Sequence, residues 1–152
     1  FGFMIEDRSR GRVRQVGGRM VVTYSLDDAD VARLKRGFEV LVRILLAAGA
    51  RTVIAPIHGH RELRTAEDLE RLRHARLRAS DLVLSAYHPL GTARLGVDPR
   101  DSVVGPDHQV HGTPGLYVVD GAAVPSSLGV NPQVTIMALA TRAAGLLART
   151  LS

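Results

Sequence analysis

The sequence predicts an α/β fold, on three observations. Strand-like alternation near the start turns on a Gly-Gly pair, and apolar residues then recur at helical spacing from Val31 to Leu45. Near the end, an almost unbroken apolar run stops at Asp120 and leads through a loop into a last helical pattern. With 152 residues and 45% hydrophobic content, the chain is the size of one ordinary domain and can bury a core.

Each element has a local cause. In "RVRQVGGRMVVTY" two short strands, Val13 to Val16 and Met20 to Tyr24, flank the turn-forming Gly17-Gly18. Ser25 with Asp28 three residues later reads as a capping box. Val31, Leu34, Phe38, Leu41 and Leu45 then form one helix face, with Gly49 as the stop. "RTVIAP" is a short buried strand. Thr65 and Asp68 open a second helix, reaching about Arg78, whose Leu69 and Leu72 give it a narrow apolar stripe. "DLVLSAY" reads as a strand running into His88, and "GLYVVD" as a strand buried on both faces of a parallel sheet. Asn131 is a good N-cap, Pro132 suits the first helical position, and Val134, Met137, Ala140, Ala144 and Leu147 form the stripe of the final helix.

Composition removes several classes of chemistry. There is no cysteine, so disulfides, thiolate nucleophiles and cysteine-ligated metals are excluded. A net charge of +5 invites a nucleic-acid reading. However, the basic residues are scattered from Arg8 to Arg149, and the aromatic residues needed for base stacking are few and lie in no basic stripe. No nucleic-acid partner is expected. Residues 121 to 141 are uncharged, but Pro125, Ser126, Ser127, Asn131 and Pro132 interrupt them, so no membrane span is expected. The chain opens on Phe1 without a basic and apolar leader; no signal peptide is expected, and a cytoplasmic location is. His58 with His60, or His108 and His111 with Asp107, could be drawn as a zinc site, yet neither follows a ligand spacing with fixed geometry. No metal site is expected. Ser126 and Ser127 lack a nucleophile elbow, which removes serine hydrolysis.

Two motifs remain. "YHPLGTARLG" (87 to 96) and "GLYVVDGAAVPSSLGVNPQVTIMALATRAA" (115 to 144) resemble the C-terminal part of the glucose-methanol-choline (GMC) family of FAD-dependent alcohol oxidases and dehydrogenases, in order, spacing and context. The resemblance runs from about the first hairpin to the end. It implies that His88 is the catalytic base, Asn131 its partner, and the turn at Asp120-Gly121 a segment lying along the flavin. It also implies that Gly129, Asn131, Pro132 and Gln133 contribute to the cofactor site. Residues 1 to 100 would then be part of the substrate-side domain, α+β in character. Residues 101 to 152 would be the last strand and helix of a Rossmann-like FAD domain. Leu95 and Ala122 depart from the family's common Met and Ser, and the resemblance implies that Ala122 would forgo one hydrogen bond to the cofactor. The larger departure is the absence of a Gly-x-Gly-x-x-Gly turn for the ADP half of FAD, which implies that this half is held by an N-terminal portion preceding these residues.

The residues make chemical sense without the family. Oxidising an alcohol needs a base for the hydroxyl proton, and imidazole, with an ordinary pKa of about 6.5, serves near neutrality. A neutral amide such as Asn131 can donate to the developing alkoxide, and a helix beginning at Pro132 directs its positive end at an anionic ring. The blander readings are a loop histidine bonded to backbone, an asparagine that only caps, and an aspartate that only ends a strand. The rival class for the whole chain is a non-catalytic remnant that keeps the motifs but holds no cofactor. The expectation is a FAD-dependent oxidoreductase acting on the CH-OH group of a small-molecule alcohol, with FAD as its cofactor.

Overall fold

β1 (Arg12–Val16) and β2 (Arg19–Thr23) pair antiparallel, with Val16 opposite Arg19, so Gly17 and Gly18 are the whole loop. Both glycines have positive φ, +56° and +77°, as a two-residue hairpin turn with the twist of its strands requires. The computed structural model describes residues 1 to 151 and separates into two compact units, Phe1–Ser85 and the remainder from Ala86. Among the described residues it is a mixed α/β chain with three α-helices and two sheets of two antiparallel strands each.

In the first unit α1 (Asp28–Ala47) begins two residues later than a Ser25 cap would set it. Asp27 is the N-cap, its carboxylate accepting from the Asp30 amide at 2.7 Å. Asp and Ser cap about equally well, so residue type alone does not decide between neighbouring candidates. The predicted stop is correct in mechanism: Ala50 N–H reaches Leu45 C=O and Gly49 N–H reaches Leu46 C=O, both at 3.0 Å, around Gly49 at φ +93°. This is a Schellman ending, which needs the left-handed residue that glycine supplies. Val31, Leu34, Phe38 and Val42 carry the buried face, while Leu41 and Leu45 flank it. They pack with Val53, Ala55 and Ile57, with Leu63, and with Leu72 of α2 (Ala66–His74).

β3 (Val53–Ile54) pairs antiparallel with β4 (Glu62–Leu63). The Thr65 capping box forms as the sequence predicts, the hydroxyl accepting from Asp68 N–H and the Asp68 carboxylate from Thr65 N–H. The helix ends at His74 instead of about Arg78. Ala75 turns extended, and Lys35 of α1 donates to the carbonyls of Arg73 (2.5 Å) and Ala75 (2.7 Å). A cation at a helix C-terminus satisfies its open carbonyls and its dipole. Leu77, beyond the helix end, and Ala79, at the start of a 3-10 turn (Ala79–Asp81), then join the core.

Asp30 is the one charged group here that is wholly buried, and its carboxylate is fully engaged. It accepts from the amides of Arg8 and Ser9 (2.8 Å each) and from the Ser9 hydroxyl and Arg33 guanidinium (2.5 Å each). Burial is the largest single influence and pushes its pKa up. The Ser9 hydroxyl, the two amides and Arg33 together outweigh it and hold the carboxyl below the ordinary value. A depressed folded pKa contributes stability above the unfolded value, about 3.9, and that contribution is lost as pH falls through the folded one. Asp30→Asn should therefore cost about 1.5–3 kcal/mol at neutral pH, the range for hydrogen bonds to a charged group. The deficit relative to wild type should shrink on acidification. Urea unfolding at neutral pH and at about pH 3 reads both; a deficit that does not change with pH would contradict the assignment.

The second unit has no parallel sheet among the described residues, which corrects two predicted strands. "DLVLSAY" straddles the end of the first unit and contributes only the single bridge Leu82 to Ile57, with Val83 and Leu84 exposed. "GLYVVD" makes one bridge, Tyr117 to Gln109, with Leu116 and Val119 largely exposed. In place of a sheet, short extended pieces are stitched one bridge at a time: Leu95 to Val104, Val104 to Val110, and Gln109 to Tyr117. Val104, Ala123 and Val124 lie at the centre, with Ala143 of α3 (Gln133–Leu151) also buried. The apolar stripe of α3 is rotated from the predicted one. Ala143 is 1% exposed, whereas Val134 and Met137 are 79% and 59% exposed.

Candidate functional site

The two sequence motifs meet through backbone hydrogen bonds. Ala93 N–H donates to Ala122 C=O (3.0 Å) and Leu95 N–H to Ala123 C=O (2.9 Å), so the loop that follows His88 lies along the turn that follows Asp120. The contact is close. A Cβ on Gly121 would stand 3.2 Å from Ile136 Cδ1, 3.3 Å from Leu90 Cδ2 and 3.5 Å from Pro89 C=O. A Cβ on Gly91, itself at φ +74°, would stand 3.4 Å from Val124 C=O. Glycine at both positions therefore lets the segment beginning at Pro89 settle on the 121 to 125 turn and on α3.

Asp120 organises this turn. Its carboxylate accepts from Ala122 N–H at 2.8 Å and caps a short 3-10 turn, Gly121–Ala123. The local cap accounts for one carboxylate oxygen and leaves the other, on an exposed side chain, open to solvent or ligand. Ala123 and Val124 are buried directly after it, so the turn is anchored at its far end.

The start of α3 differs from the sequence reading. Ile136 N–H reaches Pro132 C=O at 2.9 Å, which puts the buried Pro132 at the N-cap position and Asn131 one residue outside the helix. Among the described residues the Asn131 side chain makes no hydrogen bond, so it does not cap. Its amide is exposed and keeps its full donor and acceptor capacity. The amides of Gln133, Val134 and Thr135 likewise make no backbone hydrogen bond among the described residues, as expected for a first helical turn. Gly129, at φ +65°, bends the preceding loop in the left-handed region where glycine is at ease.

His88 is exposed and has no hydrogen-bond partner among the described residues. It follows the exposed Tyr87, and Pro89 and Leu90 after it are held against Gly121. The imidazole is thus carried on an anchored stem with both ring nitrogens unengaged, which removes the reading of a histidine tied to backbone.

This surface suits the dioxygenated pyrimidine edge of a flavin. Open helix amides and a free carboxamide are donors, and an isoalloxazine becomes anionic on that side when reduced. No residue pattern here suits the ADP half. The sequence reading missed one residue of this region, His108, which it weighed only as a zinc ligand. The available signal was the "PDH" triplet between alternating segments, a three-residue loop whose last position requires positive φ.

Comparison with known proteins gives concordant matches. Residues 7 to 140 match the family model described as GMC oxidoreductase. The chain is 39% identical over 141 residues to an uncharacterized GMC-type oxidoreductase, MT0511/MT0512, of Mycobacterium tuberculosis, covering 92% of this chain and 22% of that protein. It is 33% identical over 145 residues to the long-chain-alcohol oxidase FAO4A of Arabidopsis thaliana, covering 90% of this chain and 20% of the relative. A cholesterol oxidase of Mycobacterium tuberculosis is 56% identical over 59 residues, 39% of this chain and 10% of its own length. The chain thus spans about a fifth of the length of the first two of these relatives.

Proposed function

The chain belongs to the GMC oxidoreductase family, and from that premise we propose that it supplies the catalytic histidine and the flavin-facing end of a FAD-dependent enzyme oxidising the CH-OH group of an alcohol. The observation that carries this reading is the pairing of residues 93 and 95 with 122 and 123, which ties the His88 stem to the Asp120 turn. On this reading residues 1 to 100 are part of the substrate-side domain. Residues 101 to 152 are the closing strand and helix of a Rossmann-like FAD domain, whose remaining strands would give "GLYVVD" the sheet neighbours it lacks here. The ADP half of FAD is held by sequence outside these residues.

His88 takes the hydroxyl proton of the substrate, and the Asn131 carboxamide donates to the oxygen as negative charge develops on it. Asp120, Gly121, Gly129, Pro132 and Gln133 shape the cofactor side, through the 3-10 turn, the left-handed bend and the open amides of α3. FAD, when bound, supplies the hydride acceptor. No helix among the described residues is long and apolar enough to cross a membrane.

Relatives named for long-chain alcohols and for cholesterol indicate the first probes. Mixed anaerobically with a long-chain primary alcohol, a sterol and a sugar alcohol, the full-length protein should lose its oxidised-flavin absorbance with at least one of them. A protein that holds FAD but is reduced by no member of a broad alcohol panel would overturn the reading.

A further inference from the structure

We propose that His108 is a positioning residue whose side chain and backbone together clamp Val118, fixing the register of the Asp120-Gly121 turn and, through it, the segment that follows His88. The inference rests on the flavin-facing role given above to that turn. His108 stands at the last position of a three-residue loop, Pro106 to His108. Gly105 N–H reaches Gln109 C=O at 2.8 Å, and His108 N–H turns back to Gly105 C=O at 2.9 Å. Such a loop ends in the left-handed region, where glycine is the favoured residue. His108 adopts it at φ +67°, the only non-glycine with positive φ among the described residues.

The side chain adds a second cost. The imidazole is wholly buried, with Nδ1 3.2 Å from Val118 C=O. A carbonyl only accepts, so Nδ1 carries the proton that faces it. Nε2 is buried with no hydrogen-bond partner. Glycine would relieve the backbone and leave no orphaned nitrogen. What glycine cannot do is donate to Val118 C=O; it would keep only the bond from Val118 N–H to its own carbonyl. His108 holds Val118 twice, because its own carbonyl also accepts from Val118 N–H at 3.0 Å, engaging both polar groups of Val118 with one residue.

Val118 lies two residues before Asp120, whose carboxylate sets the following turn. The loop itself is tied to α3, since Arg142 Nη1 donates to Pro106 C=O at 2.5 Å. A shift of one residue at Val118 would carry the whole Asp120 turn along with it and break the bonds from Ala93 and Leu95 to Ala122 and Ala123. A metal-ligand role is not what this geometry builds. A histidine with Nδ1–H on a carbonyl resembles a metal ligand, but among the described residues no three His, Cys, Asp or Glu side chains form a cluster.

The test uses the full-length protein with two variants that both tolerate positive φ. His108→Gly deletes the imidazole, whereas His108→Asn keeps a donor in place of Nδ1–H. In the Gly variant, amide hydrogen exchange at Val118, Ala122 and Ala123 should quicken about tenfold. FAD should bind about tenfold more weakly, the scale of one hydrogen bond lost. His108→Asn should recover both to within about threefold. Wild-type exchange and FAD affinity in the Gly variant would overturn the proposal. So would a lowered melting temperature with FAD affinity unchanged, the mark of a residue that merely stabilises the fold. A wild-type protein that binds no FAD would remove the flavin reading instead. Exchange at Val118 to Ala123, with its rescue by Asn, would then still decide the clamp.

Discussion

In the full-length protein, His88→Ala lowers the rate of flavin reduction by a good alcohol substrate roughly 10²- to 10⁴-fold, the range for loss of a positioned general base. FAD stays bound, because no hydrogen bond to the fold is lost: the exposed imidazole has no partner among the described residues. Pro89 and Leu90, which do touch the Gly121 turn, are untouched by the substitution. The variant should therefore melt with wild type, and its flavin spectrum should be unchanged. Anaerobic stopped-flow separates reduction from later steps. If the Ala variant reduced its flavin at the wild-type rate, His88 would be an exposed loop residue and the proposed chemistry would need another base.

What could be read from the chain divides by range. Gly17-Gly18, the Thr65 and Asp68 capping box and the Gly49 stop formed as predicted because each is decided within a few residues. The α1 start moved from Ser25 to Asp27 because several good caps lie side by side in "SLDDAD". The α2 end could not be seen, since it depends on Lys35, distant in sequence, reaching the last carbonyls. "DLVLSAY" and "GLYVVD" failed as strands for a related reason. A β-strand is stable only against neighbours, and the hydrophobicity of Val83, Leu84 and Val119 shows that they want cover without saying what provides it.

The site was legible in residue type more than in geometry. His88, Asp120 and Asn131 stood out from two motifs, and the hydrogen bonds from Ala93 and Leu95 to the 122 to 123 turn bring those motifs together. The sequence also predicted a cap at Asn131, a reading that Pro132 displaced. Proline lacks an N–H but keeps a carbonyl, so it can accept the first helical bond from Ile136 and leave its neighbour free. At His108 the "PDH" triplet marks only a short loop; that a histidine fills its positive-φ position with its ring buried is known from the structure alone.

That displacement makes Asn131 the cleaner of the two catalytic tests. Had it been the N-cap, Asn131→Ala would cost about 1 kcal/mol of stability and confuse folding with chemistry. With Pro132 in the cap position and no hydrogen bond to the Asn131 side chain, the same substitution should change unfolding free energy by less than about 0.5 kcal/mol, as at an ordinary surface site. Flavin reduction should nevertheless fall about 10²-fold or more, the effect of removing one donor from a developing oxyanion. Asn131→Asp sharpens the contrast. It preserves shape but replaces the donor by a carboxylate, which repels the alkoxide, so it should reduce flavin no faster than the Ala variant. Asn131→His restores a donor and should recover part of the rate. Measuring melting and anaerobic reduction on the same preparations decides the matter. A stable Ala variant with a wild-type reduction rate would leave Asn131 without a chemical role, and a variant that loses both would return it to the helix.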